Sequence, residues 1–300
     1  MAKVYIYPNR EKASLFVRQM LVAIWPEIKM LGFATGGTPK LVYGFLVQAY
    51  QDGKISFKDI YIVNLDEYVG LDQDHPQSYA KYLKDIYCQL DIDMRKNRFP
   101  TCLVDMASEI QNTCLRMEEW IEKHGPVTVW ILGIGENAHF AFLEPDRTER
   151  IKDGKARYHV VELSLSTKKI NQVDFDKAIT AGLLTVKEGK YLIQLAFGPQ
   201  KTWAVSASVL GLMTGWIPSS LLQKHPNWIL VVDEDAGKGL LEYLSKKKPQ
   251  PKEGSDGERF YEVVSEAGIT HQVFISRDGD LAGRYSIPTR TLAEETADLR

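Results

Sequence analysis

The feature that most constrains the fold of this chain is a regular alternation of short apolar runs with stretches of helical periodicity. Helical patterns, with apolar residues three or four apart, occupy residues 11–23, 78–90 and 106–121. Strand-like runs rich in β-branched and aromatic residues occupy 3–7, 30–34, 60–65, 127–132, 158–163, 191–197 and 228–232. Strands that alternate with helices over about 245 residues predict an α/β fold with a doubly wound, largely parallel sheet, a Rossmann-like three-layer αβα arrangement.

The composition changes after this region. Residues 246–257 are charged and rich in proline and glycine, which is typical of a linker. Beyond them, residues 260–264 and 271–276 predict a small strand pair that docks on the core. We therefore divide the chain into a main domain at 1–245 and a linker with a small C-terminal extension at 246–300.

The net charge and the cysteines indicate which partners and which cellular compartment to expect. A net charge of −2 and a pI near 6.3 provide no basic field for nucleic acid or for an anionic membrane, so we expect a small-molecule partner. Cys88, Cys102 and Cys114 lack CxxC spacing, and no signal peptide or long apolar run is recognisable. We expect a cytoplasmic protein whose cysteines fill the core.

Two predicted strands end in segments suited to bind anions or to move protons. Residues 30–34 run into Gly36, Gly37 and Thr38, and Pro39 then suits the first turn of a helix. Free N–H groups and the dipole at such a helix N-terminus favour an anion. Residues 60–65 run into an acidic pair, Asp66-Glu67. Each segment taken alone is also typical of an ordinary turn or a solvated strand end.

Two further strand ends carry a second set of polar residues. The run at 127–132 passes through Gly133 and Gly135 to His139 and Glu144, and residues 191–197 lead into a turn ending at Lys201. A dinucleotide fingerprint over 133–138 is disfavoured because no helix pattern follows it and no acidic residue ends a strand about 20 positions later. Carboxyl ends of parallel strands share one edge of a sheet, where ligands bind in open α/β folds.

These four segments resemble, in order and approximate spacing, those of the glucosamine-6-phosphate deaminase (isomerase) family. The matching residues are 31–39, 64–71 with 75–79, 133–145 and 198–201. The resemblance covers roughly residues 1–245. The sister family of 6-phosphogluconolactonases shares the fold, but it has Asp-Glu-Arg where this chain has Asp66-Glu67-Tyr68.

The resemblance implies an aldose–ketose isomerisation coupled to loss of ammonia, without a metal or an organic cofactor. Asp66 matches the carboxylate that moves the C2 proton of the opened sugar. His139 matches the acid/base that opens the ring, and Glu144 matches the carboxylate that holds this imidazole. Asn137 stands where many members have aspartate, and its amide can still orient the ring by hydrogen bonding.

The resemblance also implies a phosphate site and a pocket wall. Gly36, Gly37 and Thr38 would cradle the phosphate, with Lys201 adding charge. Tyr79 and Glu67 are candidates for the wall. The substrate implied is glucosamine 6-phosphate or a relative such as galactosamine 6-phosphate, and homo-oligomerisation stays open because family members differ in it.

The chain departs from the family pattern at two more positions. Leu143 precedes Glu144 where the family has asparagine, and Val173 stands near the place of an expected phosphate-binding arginine. Lys168, Lys169 and Arg157 are candidates to compensate, although lysine does not reproduce a bidentate guanidinium. The departures keep two alternatives open: a catalytically weakened sugar-phosphate-binding protein, and a lactonase of the sister family.

Overall fold

The computed structural model describes residues 2–145, 157–255 and 257–276. A ten-stranded sheet has the order β11-β12-β13-β1-β10-β9-β6-β2-β3-β5. The pairs from β13 through β1 to β5 are all parallel. The strands of this sheet are β1 Lys3–Tyr7, β2 Met30–Phe33, β3 Tyr61–Asn64, β5 Asn97–Arg98, β6 Val129–Gly133, β9 Tyr191–Ala196, β10 Trp228–Asp233, β11 Lys252–Glu253, β12 Arg259–Val264 and β13 Thr270–Ile275.

Helices cover both faces of the sheet. The described α-helices are α1 Arg10–Ile24, α2 Lys40–Gln51, α3 Tyr79–Tyr87, α4 Ala107–His124, α5 Leu165–Asn171, α6 Leu183–Lys187, α7 Thr202–Leu210 and α8 Glu234–Lys247. Helices α1, α2 and α3 contribute to one apolar cluster, and α4, α7 and α8 contribute to another. The predicted doubly wound, largely parallel α/β sheet is therefore confirmed.

Alternate residues of the central strands belong to opposite clusters. In β6, Val129 and Ile131 join the cluster of α1, while Trp130 and Leu132 join the cluster of α4. This follows from the two-residue period of a strand, which sends successive side chains to opposite faces. Because both faces are covered, the strand reads as a continuous apolar run in the sequence.

A second, three-stranded antiparallel sheet lies beside the main one, in the order β4-β8-β7. It consists of β4 Asp66–Tyr68, β8 Lys177–Thr180 and β7 His159–Glu162. The sequence predicts the β7 strand at 158–163 but gives no sign of β8 or of the separate sheet. The reason is that β4 and β8 are only three and four residues long, too short for a periodic pattern to be recognised.

The strand pair expected near the C-terminus is present and extends the main sheet. Strands β12 and β13 are antiparallel, and β13 pairs in parallel with β1 from Lys3 to Ile6. Helix α8 continues to Lys247, past the predicted start of the linker. The division of the chain at residue 245 stays a prediction about folding units.

Strands β9, β6, β2 and β3 are adjacent in the main sheet. From β2 the chain adds β3 and β5 on one side, and from β6 it adds β9 and β10 on the other. The junction of β6 with β2 is therefore a topological switch point, where loops diverge and leave a crevice at the carboxyl ends. The four predicted motifs follow these four strands.

Candidate active site

A cavity of about 230 Å³ opens at the carboxyl ends of these four strands. Each predicted motif contributes residues to it, although the motifs are far apart in the sequence. The lining residues used below are Gly36, Gly37, Thr38, Asp66, Tyr79, Gly135, Glu136, His139, Thr167, Asn171 and Lys201. The structure therefore brings together the residues that the sequence placed on a common sheet edge.

The glycine loop joins β2 to α2 at one side of the cavity. Gly36 has a φ of +92°, in the left-handed region that side chains rarely adopt. A Cβ added at Gly36 or Gly37 would meet no atom within 4 Å, so the backbone faces open space. Among the residues that the structure describes, no side chain caps the start of α2 at Pro39. Backbone N–H groups at this helix start remain available to an anion.

Asp66 is 6% exposed at the start of β4. Its Oδ1 has no hydrogen-bond partner among the described residues. Burial, with the Glu67 charge as a smaller cause, raises the pKa of the Asp66 carboxyl to about 8. A carboxyl group that is buried, unpartnered at one oxygen and directed to a cavity is suited to exchange a proton with a ligand.

Glu67 points away from the cavity, and the structure does not place it in the pocket wall. Its Oε1 accepts hydrogen bonds from the backbone N–H groups of Tyr68 and Tyr79 at 2.9 and 3.1 Å. Its Oε2 accepts from Ser78 Oγ at 2.7 Å and from the Ala80 N–H at 2.8 Å. Because adjacent residues of a strand face opposite sides, Glu67 holds the N-terminus of α3 while Asp66 faces the cavity.

His139 is held by the side chain of Asn137. The imidazole Nδ1 lies 2.7 Å from Asn137 Oδ1 and 3.6 Å from Glu144 Oε1. Asn137 Nδ2 donates to Glu144 Oε2 at 2.6 Å. A carboxylate only accepts, so the amide nitrogen must face Glu144 and the amide oxygen must face the ring. Nδ1 therefore carries a proton, and Nε2 is the unprotonated nitrogen of the neutral imidazole.

Glu144 is the charged end of this chain of hydrogen bonds. Burial acts to raise its pKa, but the nearby His139 ring, with Nδ1 3.6 Å from Oε1, and the hydrogen bonds from Thr167 and Asn137 outweigh burial and lower it to about 2. Thr167 Oγ1 donates to Glu144 Oε1 at 2.5 Å. Glu144 is thus an anion that supports the imidazole through Asn137.

Gly135 allows the ring to lie against the backbone. A Cβ at this position would lie 2.2 Å from His139 Cε1, a distance that real Cβ atoms do not reach. The Gly135 N–H also donates to the His139 carbonyl at 2.8 Å, which closes the loop around Asn137. Ala138 has a φ of +66°, a strained value for a residue with a side chain. Gly135 therefore leaves the space that the His139 ring occupies.

Lys201 contributes a cation to the lining of the cavity. Burial lowers the pKa of its ammonium, and the nearby Glu136 carboxylate opposes that shift. No carboxylate of residues 2–145, 157–255 or 257–276 pairs with it within 4.0 Å. Its charge is therefore available to a bound anion.

The residues proposed to replace the expected arginine do not line the cavity. Val173 packs at the edge of a small apolar cluster around Tyr68 and Phe142. Arg157 forms ion pairs with Glu118 and Glu188, and Lys168 pairs with Asp176. Lys169 is exposed and is also absent from the cavity wall. Lys201 is thus the lysine or arginine that the described residues supply to the site.

Tyr79 and Asn171 also line the cavity, and the buried Tyr68 lies behind them. The hydroxyl groups of Tyr68 and Tyr79 are 2.8 Å apart, and Asn171 Nδ2 donates to Tyr68 Oη at 3.0 Å. Thr167 and Asn171 are cavity residues that the sequence analysis did not identify. Their four-residue spacing, which puts both on one face of α5, is the signal that marks them as cavity residues.

The described residues contain no group of three or more His, Cys, Asp or Glu side chains arranged to hold a metal ion. No described helix combines the length and apolar character needed to cross a bilayer.

Comparison with known proteins identifies the family of this chain. The model of the family described as glucosamine-6-phosphate isomerases/6-phosphogluconolactonase matches residues 21–230. The chain belongs to this family. A glucosamine-6-phosphate deaminase of Alkaliphilus metalliredigens is 34% identical over 248 residues, which cover 79% of this chain and 98% of that protein. One of Thermoanaerobacter pseudethanolicus is 35% identical over 247 residues, or 78% of this chain and 93% of that protein.

Solved structures of the glucosamine-6-phosphate isomerase/6-phosphogluconolactonase family agree with the fold. A monomeric glucosamine-6-phosphate deaminase superposes with a TM-score of 0.72 at 30% identity, covering 79% of this chain and 99% of that one. A 6-phosphogluconolactonase from Trypanosoma brucei gives a TM-score of 0.67 at 16% identity, over 80% of this chain and 99% of that one. The second likeness shows the shared fold alone.

Proposed function

We propose that this protein is an amino-sugar-phosphate deaminase that converts glucosamine 6-phosphate and water to fructose 6-phosphate and ammonia. The observation that carries the proposal is the placement of Asp66 and His139 in one cavity with the glycine loop and Lys201. This combination supplies a proton-transfer carboxyl, an oriented imidazole and an anion site. The named relatives support the substrate class.

His139 opens the sugar ring in this proposal. The ring-opening step needs a group that exchanges a proton with the ring oxygen, and neutral imidazole can do so near pH 7. With Nδ1 committed to Asn137 Oδ1, Nε2 is the nitrogen that takes up and returns the proton. The Glu144 anion stabilises the imidazolium that forms, as the carboxylate of a catalytic triad does.

Asp66 carries the isomerisation. In its ionised form it removes the C2 proton of the open-chain sugar and delivers it to C1, which converts the C1 carbonyl to an alcohol and the C2 amine to an imine. Water then adds to the imine carbon, and the C2–N bond breaks to leave the C2 ketone and ammonia. Its pKa of about 8 makes the carboxylate a stronger base than an exposed aspartate. The ammonium group of the substrate brings a positive charge that favours the ionised form when the sugar binds.

The phosphate is bound by the glycine loop and Lys201. The loop provides backbone N–H groups at the start of α2, and Lys201 provides the charge. This anchor fixes the sugar relative to both proton-transfer groups, which lowers the entropic part of the barrier.

A catalytically weakened sugar-phosphate-binding protein is the second candidate, and the observation that favours it is Val173, an apolar residue near the expected arginine. Asn137 no longer favours it, because its hydrogen bond to the His139 ring provides the orientation that proton transfer needs. The lactonase alternative gains no support from the 6-phosphogluconolactonase structure, because a likeness at 16% identity shows the shared fold alone.

The test is to incubate the purified protein with glucosamine 6-phosphate and to measure ammonia and fructose 6-phosphate together. We expect equal amounts of both, and we expect Asp66→Asn to form neither while phosphate-ligand affinity stays within about fivefold. Galactosamine 6-phosphate in parallel reactions defines the sugar. Tight binding without product would favour the binding-protein candidate.

We further propose that the protein acts in the cytoplasm on a free sugar phosphate, with no nucleic-acid partner. Cys88, Cys102 and Cys114 are free thiols, in keeping with a reducing compartment. Cys102 and Cys114 are buried as expected, but Cys88 is exposed, so the prediction that all three fill the core is wrong for Cys88. The cavity is built from residues of one chain. The proposed activity therefore does not require a homo-oligomer, and it is compatible with one.

A further inference from the structure

Thr167 forms the outer end of the hydrogen-bond chain that leads to His139. It is buried, lines the cavity and lies on α5, one turn before Asn171. Its hydroxyl donates to Glu144 Oε1 at 2.5 Å, and Ser164 Oγ donates to Thr167 Oγ1 at 2.9 Å. Ser164 is also the N-cap of α5, where it accepts from the Thr167 N–H. The hydroxyl is therefore fixed to the start of a helix.

The direction of these bonds is determined by Glu144. An ionised carboxylate only accepts, so Thr167 must donate its single proton to Oε1. The Thr167 oxygen then accepts the Ser164 proton. The other carboxylate oxygen, Oε2, accepts the Asn137 amide at 2.6 Å. Each Glu144 oxygen thus has its own donor, one on α5 and one on the histidine loop.

The alternative arrangement lies close by. Oε1 is 3.6 Å from His139 Nδ1, within reach after a small rotation of the carboxylate. Without the Thr167 bond, Oε1 is free to turn to the ring and compete with Asn137 Oδ1 for the Nδ1 proton. Charge-assisted hydrogen bonds are strong enough for such competition to alter the ring's orientation.

We propose that Thr167 is a positioning residue of this site, which holds Glu144 so that Asn137, and not the carboxylate itself, orients His139. The proposal rests on the proposed deaminase function for its kinetic consequence. Thr167 acts through Glu144 and does not need to contact the substrate for this role. A purely structural role, as part of the N-cap of α5, is the opposing account.

The kinetic test compares Thr167→Val, which keeps shape but removes the hydroxyl, with Thr167→Ser, which keeps the hydroxyl. Thr185→Val is the matched control, because Thr185 makes the same type of bond to Glu118 Oε1 at 2.7 Å away from the cavity. We expect Thr167→Val to lower kcat about tenfold with KM within about twofold. A tenfold loss of kcat corresponds to about 1.4 kcal/mol of transition-state stabilisation. Thr167→Ser restores most of kcat, and Thr185→Val leaves it unchanged.

A second readout is independent of turnover. The ¹⁵N resonances of the His139 ring report which nitrogen carries the proton. We expect wild type, Thr167→Ser and Thr185→Val to show protonated Nδ1 and unprotonated Nε2 in the neutral ring. In Thr167→Val we expect the same tautomer, because Asn137 Oδ1 and Glu144 Oε1 both accept from Nδ1. We expect the resonance of the Nδ1 proton to move downfield in this variant, because a charged carboxylate becomes its acceptor.

The outcomes separate the two proposals. If wild type releases no ammonia while the ring resonances change only in Thr167→Val, the deaminase proposal fails and the positioning role stands. Unchanged resonances and unchanged kcat in Thr167→Val would overturn the positioning role. A raised KM with constant kcat would also overturn it, because Thr167 would then act by binding the substrate.

Discussion

Asn137 Nδ2 lies 2.6 Å from Glu144 Oε2, and this contact decides how His139 is oriented. The carboxylate takes the amide hydrogen, so the amide oxygen is left to accept from His139 Nδ1. The asparagine that departs from the commoner aspartate thus transmits the influence of Glu144 to the ring. An aspartate here would place two carboxylates in contact, and one of them would have to bind a proton.

Replacing Asn137 with alanine removes this link. We expect kcat to fall by at least about tenfold, because general acid–base catalysis by an oriented group is worth about 100-fold or more. KM should change little, since Asn137 does not line the cavity. Steady-state kinetics with glucosamine 6-phosphate measure both quantities. A variant with unchanged kcat would show that His139 is oriented without Asn137.

Gly135→Ala tests the packing of the imidazole against the backbone. The new Cβ would lie 2.2 Å from the ring, so we expect His139 to be displaced and kcat to fall at least about tenfold, as misplacement of a reacting group by about 1 Å can cost about 100-fold. Gly44→Ala is the control, because a Cβ at this position in α2 meets no atom within 4 Å. Equal activity of the two variants would contradict this role of Gly135.

Lys201→Ala tests the anion site. We expect affinity for phosphorylated sugars to fall about 10- to 100-fold, as a charged hydrogen bond is worth about 1.5–3 kcal/mol. Affinity for the unphosphorylated amino sugar should stay unchanged. Titration calorimetry with both ligands gives the comparison, and Lys238→Ala, at an exposed position of α8, controls for net charge. An equal loss for both sugars would assign Lys201 a structural role.

Asp66→Asn should change the pH dependence of stability. The native pKa is raised from 3.8 to about 8, so the native state holds this proton more tightly than the unfolded chain. The resulting stability is complete below pH 3.8 and is lost as the pH rises through about 8. The variant has no such loss, so its free energy of unfolding should rise relative to that of wild type between pH 4 and pH 9. The upper limit is about 6 kcal/mol, at about 1.36 kcal/mol for each pKa unit.

Urea unfolding of both proteins at several pH values measures this gain. All other titrating groups are shared, so their contributions cancel in the difference. A difference that stays constant from pH 4 to pH 9 would mean that the Asp66 pKa is close to its ordinary value.

The strand ends of this fold are predictable because parallel strands impose a common direction. Apolar runs located β2, β3, β6 and β9, and elementary sheet geometry placed His139 and Lys201 on the edge that also carries Asp66. The sequence could not predict that Glu67 faces the opposite way, because β4 is a three-residue strand whose two-residue alternation is too short to recognise.

Contacts between distant segments were the other part that sequence could not supply. Thr167 and Asn171 reach the cavity from α5, which connects β7 to β8 of the small antiparallel sheet. Neither β8 nor that sheet has a clear periodic signal in the sequence. The pairing of Arg157 with Glu118 and Glu188 likewise depends on tertiary packing. A cation named as a candidate ligand from sequence proved to be committed elsewhere.

We propose above all that His139 opens the ring of an amino sugar phosphate and that Asp66 then removes its C2 proton. A proton NMR time course in D₂O with glucosamine 6-phosphate, recorded with an assay for ammonia, tests it most directly. We predict that the C2 proton signal disappears and ammonia accumulates with wild type, and that neither occurs with Asp66→Asn. Persistence of the C2 signal with wild type, while the sugar phosphate demonstrably binds, would contradict the claim.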